Sequence, residues 1–142
     1  AYEIIDYKSI KIEDINLEGW DTIHKAAYCG NYDVLLEELN NGICANHLSN
    51  RLASKYNKKI IYFENMSPLY LAAQNGHIDC VNLLINRGAD PNILSHNIHC
   101  KKSCTAFSVA WCHNNFKCYR LMKNKNKQIG LLSTEYSSIN YL

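Results

Sequence analysis

One stretch of the chain, residues 67–92, has the sequence SPLYLAAQNGHIDCVNLLINRGADPN. Ser67 is a residue type whose side-chain oxygen accepts hydrogen bonds at helix starts, and Pro68 suits the first helical position because its φ is already helical. Gly76 and Gly88 tolerate the left-handed conformation in which helices commonly end. The stretch therefore predicts two short helices joined by a turn.

Two further copies of this unit flank the first. One starts 46 residues earlier at Asp21 and the other 38 residues later at Thr105, and both residues are helix-capping types like Ser67. Each copy has small residues in its first helix and an apolar stripe along its second: Ala26, Ala27, Val34, Leu35 and Leu39; Ala72, Ala73, Val81, Leu83 and Leu84; Ala110, Phe116, Tyr119, Leu121 and Met122. A unit that repeats in this way buries its apolar face against its neighbours, so the pattern predicts a solenoid.

These residues resemble the ankyrin repeat, whose pattern T-P-L-H-x-A-A-x-x-G-H-x-x-V-x-x-L-L-x-x-G-A-D-x-N extends over about 33 residues. The middle copy is close to this pattern, and the outer copies depart from it. The departures are Thr22, Glu37 and Glu38 in the first copy and Ala106, Ser108 and Trp111 in the third. The resemblance implies an all-α solenoid of stacked helix-turn-helix units with an extended loop between repeats 1 and 2.

We expect one ankyrin-repeat domain over residues 1–142. Its predicted parts are repeat 1 at 19–46, an inserted finger at 47–65, repeat 2 at 66–98, repeat 3 at 103–126, and flanking segments at 1–18 and 127–142. The chain begins at Ala1 rather than Met, and residues 14–16 resemble the end of a preceding repeat. Whether the chain is a fragment of a longer repeat array is left open.

The inserted finger is the first candidate for a binding surface. Residues 59–63 are rich in β-branched and aromatic types, which favours a short strand. Aromatic residues mixed with Arg are typical of interface anchors, so we expect protein contact here. The candidate contact residues are Arg51, Tyr56, Lys58, Lys59 and Tyr62 in the finger, with Asn92 and His96 at the next loop.

Composition restricts the other function classes. Fifteen Lys and Arg against thirteen Asp and Glu give a net charge of +2, which is weak for a protein that coats nucleic acid. No apolar run approaches the ~18 residues of a membrane helix, and the amino end has no secretory pattern. The seven cysteines are odd in number and mostly lie within apolar patterns, so we expect reduced thiols used as small core residues, which favours a location in the cytoplasm or nucleus.

Catalytic patterns are missing from the sequence. It has no nucleophile elbow, phosphate-binding glycine loop or His-Glu-x-x-His string, so we expect no enzymatic activity, no cofactor and no small-molecule substrate. We expect His24 to hydrogen-bond locally at its helix start, Trp20 to cover that start, and Trp111 to be a core or end-capping residue.

One cluster of histidines and cysteines suggests a different interpretation, a zinc site. Its members are His96, His99, Cys100, Cys104, Cys112, His113 and Cys118. No paired C-x-x-C spacing occurs among them, and Cys112 and Cys118 fall inside predicted helices. Packing therefore explains these two cysteines better than a metal does.

The resemblance to ankyrin repeats implies an intracellular scaffold or adaptor that binds a partner protein through its fingers and inner helices. One alternative is a substrate-recognition fragment of a ubiquitin-ligase adaptor, similar to the ankyrin-repeat SOCS-box proteins, although no SOCS-box motif is visible before Leu142. Another is a host-directed ankyrin protein of a virus or parasite, since Asn, Lys, Ile and Tyr are abundant. The last is a nucleic-acid or zinc-binding module that uses the finger.

Overall fold

A computed structural model describes residues 20–49, 52–56, 59–97 and 104–125 of the chain. The helices lie in three consecutive pairs: α1 (Thr22–Cys29) and α2 (Tyr32–Asn40), α3 (Pro68–Gln74) and α4 (Ile78–Asn86), α5 (Ala106–Cys112) and α6 (116–125). We call these pairs repeats 1, 2 and 3. The strands are β1 (Leu52–Tyr56), β2 (Lys59–Glu64) and β3 (His96–Asn97).

The first helix of each repeat begins at the predicted capping residue. The Ser67 hydroxyl accepts from the Tyr70 N–H at 3.1 Å, and the Thr105 hydroxyl accepts from the Ser108 N–H at 3.2 Å. Each bond satisfies an amide that has no partner within its own helix. Asp21 precedes α1 in the same position, but its carboxylate binds a residue outside the helix.

The turn after each first helix joins neighbouring repeats. Gly30 has φ +74° there, and a Cβ added to it would lie 2.5 Å from Nδ1 of His77 in the next repeat. The His77 ring cannot easily move aside, because its Nε2 is hydrogen-bonded to the Tyr28 carbonyl at 2.9 Å. Asn114 occupies the equivalent turn of repeat 3 with φ +60°, a left-handed conformation that asparagine tolerates better than most residues.

Burial along the first helices shows how the repeats stack. Helix α1 packs against α3, and α3 packs against α5. Every residue of α3 is buried because α3 has a neighbour on both sides. In α1, Lys25 is exposed, whereas its equivalent Val109 in α5 is buried against repeat 2.

The opposite side of these helices shows the reverse pattern. Ala27 is fully buried in α1 and Ala73 in α3, because both face the following repeat. Their equivalent in α5 is Trp111, which is 57% exposed. Of the two alternatives predicted for Trp111, the core position is therefore excluded, and Trp111 instead lies on the end of the described stack, on a side of α5 that has no described neighbour. Trp20 is buried as expected, with its ring edge-on to Tyr28 at 5.5 Å.

Burial of the cysteines also depends on whether a neighbouring repeat covers them. Cys80 and Cys118 occupy equivalent positions in α4 and α6, and both are buried core thiols as predicted. Cys29, Cys44 and Cys112 are exposed, so the core interpretation is wrong for these three. Cys29 lies on the side of α1 that faces away from repeat 2, and Cys112 on the corresponding outer side of α5.

The inserted finger forms a small sheet beside the helices. Strands β1 and β2 pair antiparallel as a hairpin, which confirms the strand predicted at residues 59–63. Strand β3 comes from the loop after repeat 2 and pairs antiparallel with β2. We call β1, β2 and β3 the finger sheet. The helical repeat stack is confirmed, and the insertion adds this sheet to it.

The helix faces that meet inside the stack should dominate stability. Leu84 is fully buried in α4, and the Leu84→Ala substitution should lower the free energy of unfolding by about 2–5 kcal/mol through lost packing and a residual cavity. Urea titration measures the change. Asn82→Ala on the exposed side of α4 is the matched control and should change the free energy by less than about 0.5 kcal/mol. Equal effects of the two substitutions would contradict burial of this helix face.

The turn contact at Gly30 has a similar test. Gly30 and Gly88 both have positive φ, at +74° and +87°, so replacement by Ala strains the backbone at either position by about 1–2 kcal/mol. Of these two glycines, Gly30 alone has a residue of the neighbouring repeat within 4 Å of the added Cβ. We therefore expect Gly30→Ala to lower the thermal unfolding midpoint further than Gly88→Ala. Equal midpoints would mean that His77 moves away without cost.

Candidate functional site

Two buried serines fix the base of the finger sheet to the helices. The Ser49 hydroxyl accepts from the Met66 N–H at 3.0 Å, and the Ser49 N–H donates to the Met66 carbonyl at 3.1 Å. The Ser95 hydroxyl donates to the Asn65 carbonyl at 2.8 Å and accepts from the Ser67 N–H at 3.3 Å. The first pair of bonds closes the inserted finger at its base, and the second connects the next loop to the start of α3.

The strand register places four of the predicted contact residues in this sheet. Tyr56 stands opposite Lys59, and Tyr62 stands opposite Ala53. His96, from the loop after repeat 2, stands opposite Glu64. Residues from two loops that are separate in sequence are therefore brought into one sheet.

The remaining predicted contact residues lie elsewhere. Arg51 and Lys58 fall outside the described residues. Asn92 is exposed at the tip after repeat 2, where its N–H donates to Asp90 Oδ1 at 2.9 Å. The Asp90 N–H in turn donates to Asn46 Oδ1 at 2.7 Å, and Asn46 Nδ2 donates to the Gly88 carbonyl at 3.3 Å. Asn46 thus ties the tip of repeat 1 to that of repeat 2.

A histidine pair joins the start of α1 to the base of the inserted finger. His24 is fully buried; its Nδ1 accepts from the Asp21 N–H at 3.0 Å, so its proton is on Nε2, which donates to the His47 carbonyl at 2.6 Å. The His47 ring stacks on the His24 ring with centroids 5.2 Å apart, and its Nε2 binds the Asp21 carboxylate. His24 does bond locally at its helix start, as predicted, and it also fixes the first residue of the finger.

The electrostatics of this pair follow from burial and hydrogen bonding. Burial lowers the pKa of the His24 imidazole below its ordinary value of 6.5. The hydrogen bond from His47 lowers the pKa of the Asp21 carboxyl below its ordinary value of 3.8. At neutral pH His24 is therefore neutral and Asp21 is ionised, which is the protonation state that the observed bonds require.

Comparison with known proteins identifies the family. The family model described as ankyrin repeats (3 copies) matches residues 2–95 and also residues 23–133. The chain belongs to the ankyrin repeat family. Ankyrin repeats are protein-binding modules and are generally not enzymes.

Two curated ankyrin proteins match this chain. It is 33% identical over 82 residues to ankyrin repeat and SOCS box protein 2 of Bos taurus, an alignment that covers 58% of this chain and 11% of that protein. It is also 33% identical over 85 residues to ankyrin repeat and SOCS box protein 3 of Homo sapiens, covering 60% of this chain and 14% of that protein. The chain thus spans a small part of the length of either relative.

The candidate zinc ligands are not assembled in the described part of this ankyrin chain. Within residues 20–49, 52–56, 59–97 and 104–125, no three His, Cys, Asp or Glu side chains are grouped to hold a metal ion. His99 and Cys100 lie outside the described residues.

Burial raises the pKa of the Cys80 thiol to about 12, so this thiol stays protonated and unreactive at neutral pH. None of the described helices is long and apolar enough to cross a membrane.

Acid should weaken the ankyrin stack through His24. The unfolded chain takes up a proton on His24 near pH 6.5, whereas the folded chain takes it up only at lower pH because its pKa is lowered. The free energy of unfolding should therefore fall as the pH drops below 6.5, by at most about 1.4 kcal/mol per pH unit from this one group. Urea titrations across this range measure the slope.

The His24→Gln variant is the control for this prediction. Glutamine does not titrate, and its amide offers both a donor and an acceptor at the buried site. The variant should show a flatter pH dependence than the original chain, because the other histidines are the same in both. Identical slopes would show that His24 does not contribute.

Proposed function

We propose that this ankyrin chain is a protein-interaction scaffold that binds its partner across the finger sheet. The observation that supports this most is the pairing of β2 with β3, which joins two successive loops of the stack into one sheet. Ser49 and Ser95 hold this sheet against the helices through buried hydrogen bonds. A surface that is ordered before binding loses less conformational entropy when the partner arrives, so more of the contact energy appears as affinity.

The proposed contact residues are the aromatic and basic ones of the two joined loops. Tyr56, Lys59, Tyr62 and His96 are members of the finger sheet. Arg51 and Lys58 adjoin the hairpin strands in sequence, and Asn92 is at the next tip. Tyrosine and arginine are over-represented among residues that dominate binding energy, which supports this choice.

The cellular setting belongs to the same proposal. Cys29, Cys44 and Cys112 are exposed thiols, which persist in a reducing compartment and oxidise outside it. We therefore assign the chain to the cytoplasm or nucleus. Its action is rigid presentation of a surface, with no cofactor and no turnover.

A second candidate function is substrate recognition within a ubiquitin-ligase adaptor. Both relatives are named for ankyrin repeats together with a SOCS box, which supports this alternative. In that case this ankyrin segment would bind the protein to be modified, and another part of the full-length protein would bind the ligase. Partner ubiquitylation in cells should then depend on the full-length protein, and no change after its deletion would contradict the adaptor role.

The scaffold proposal is tested by affinity capture from cytosol followed by mass spectrometry. The double variant Tyr56→Ala, Lys59→Ala removes two residues that stand opposite each other in β1 and β2. It should reduce recovery of the specific partner at least about tenfold, since truncation of central contact residues has effects of this size. The matched control is the double variant Lys25→Ala, Tyr32→Ala. It likewise removes one lysine and one tyrosine, here from exposed positions in α1 and α2 respectively.

A shortened chain gives an independent check. Residues 51–63 are replaced by a Gly-Ser turn, which leaves the bonds between Ser49 and Met66 in place. Circular dichroism confirms that the helices remain. If the shortened chain and the double variant both recover the partner as fully as the original chain does, the finger sheet is not the binding surface.

A further inference from the structure

The outer side of repeat 3 presents a second surface, separate from the finger sheet. A groove of about 450 Å³ lies between α5 and α6 and is lined by Phe107, Ser108, Trp111, Cys112 and Tyr119. We call these five residues the end face. They lie on the side of repeat 3 that faces away from repeat 2.

The end face differs from the equivalent sides of repeats 1 and 2. The equivalent position in repeats 1 and 2 is alanine, Ala27 in α1 and Ala73 in α3, and both are fully buried in the stack, where α1 packs on α3 and α3 on α5. Repeat 3 has Trp111 at that position. An indole there prevents another helix from packing as closely as α3 packs on α1, so this surface is not shaped for the same repeat-to-repeat contact.

The aromatic rings of the end face support one another. The Trp111 ring centroid lies 5.1 Å from that of Tyr119 and 5.2 Å from that of Phe116, a ring next to the end face, in edge-to-face geometry at both contacts. Phe107 packs against Tyr119 at 6.0 Å in the same way. The rings are thus held in fixed positions, although Trp111 is 57% and Phe116 40% exposed. Exposed aromatic area of this kind is costly in water, and apolar contact would relieve that cost.

The charge of repeat 3 is entirely positive. Residues 104–125 include Lys117, Arg120, Lys123 and Lys125 and contain no Asp or Glu. Lys123 Nζ lies 5.6 Å from the centroid of the ring of Tyr119, which lines the groove. Lys123 in α6 occupies the repeat position that Ile85 occupies in α4, where the isoleucine is buried. Lysine in place of a buried isoleucine favours a ligand with negative charge next to its apolar part.

We propose that the end face binds an acidic amphipathic segment of a partner protein, with an apolar side chain in the groove against Trp111 and a carboxylate next to Lys123. The groove has room for one or two large side chains. Single-stranded nucleic acid fits less well, because it needs open ring faces on which successive bases stack, whereas these rings pack edge to face. The proposal does not depend on the finger sheet.

The chemistry of the ligand is tested by selection from a phage-displayed library of random short peptides on the folded chain, with counter-selection on Trp111→Ala. Enriched peptides should combine aromatic or aliphatic residues with Asp and Glu. Enrichment of basic or uncharged peptides would overturn the proposal. So would a result in which no peptide is enriched more strongly on the original chain than on Trp111→Ala.

Trp111 also reports binding directly. The chain has two tryptophans, and Trp20 is 5% exposed, so acrylamide quenches mainly the fluorescence of Trp111. A selected acidic peptide should protect Trp111 from acrylamide, and its affinity should fall at least about tenfold in Lys123→Glu. Salt at about 1 M should weaken binding, because it reduces the Debye length to about 3 Å. An oligothymidylate that protects Trp111 more strongly than the peptide would favour nucleic acid and overturn the proposal.

Two controls separate this surface from the finger sheet and from general loss of structure. Lys25→Glu makes the same charge reversal at an exposed position of α1 and should leave peptide affinity unchanged. The double variant Tyr56→Ala, Lys59→Ala should also bind the peptide normally even where it loses the scaffold's partner. Loss of peptide binding in both control variants would show that the effect is not located at the end face.

Discussion

The structure depends on hydrogen bonds that cross from each repeat to the end of the preceding first helix. The last carbonyls of a helix have no partner within it. Tyr28 O accepts from Asn75 Nδ2 at 2.8 Å and from the His77 ring at 2.9 Å, and Asn115 Nδ2 donates to the carbonyls of Ala73 and Gln74 at 2.9 and 2.8 Å. Short helices that would be marginal alone are thereby terminated by their neighbours, and the offset between successive repeats is set.

The fixed offset explains why a sheet forms beside helices. It brings the loops that follow repeats 1 and 2 close enough for β2 and β3 to pair, although these strands are about thirty residues apart in sequence. The buried hydroxyls of Ser49 and Ser95 then satisfy backbone groups where the loops leave the helices. The proposed binding surface is thus a product of the stack, and its order comes from the helices beneath it.

Local features were predictable from the sequence, and features that depend on distant contacts were not. The caps at Ser67 and Thr105, the turn at Asn114 and strand β2 follow from residue type and short-range pattern. The two-residue strand β3 has no such pattern and forms only because β2 is beside it. Exposure of Cys29 was missed, and the sequence left open whether Trp111 is a core or an end-capping residue, since burial at these positions is decided by whether another repeat covers them. The link from His24 to His47 depends on a loop returning to the helix start, which spacing alone does not show.

The paired hydrogen bonds between Ser49 and Met66 have an evolutionary consequence. They bring the two ends of the insertion together at the surface of the helices, so the chain between them enters and leaves the stack at one point. Changes in the length or sequence of that segment alter loop closure entropy only slowly and leave the helix contacts in place. The ankyrin core and the proposed binding segment can therefore diverge at different rates, and the sequence of that segment can be exchanged without redesign of the repeats.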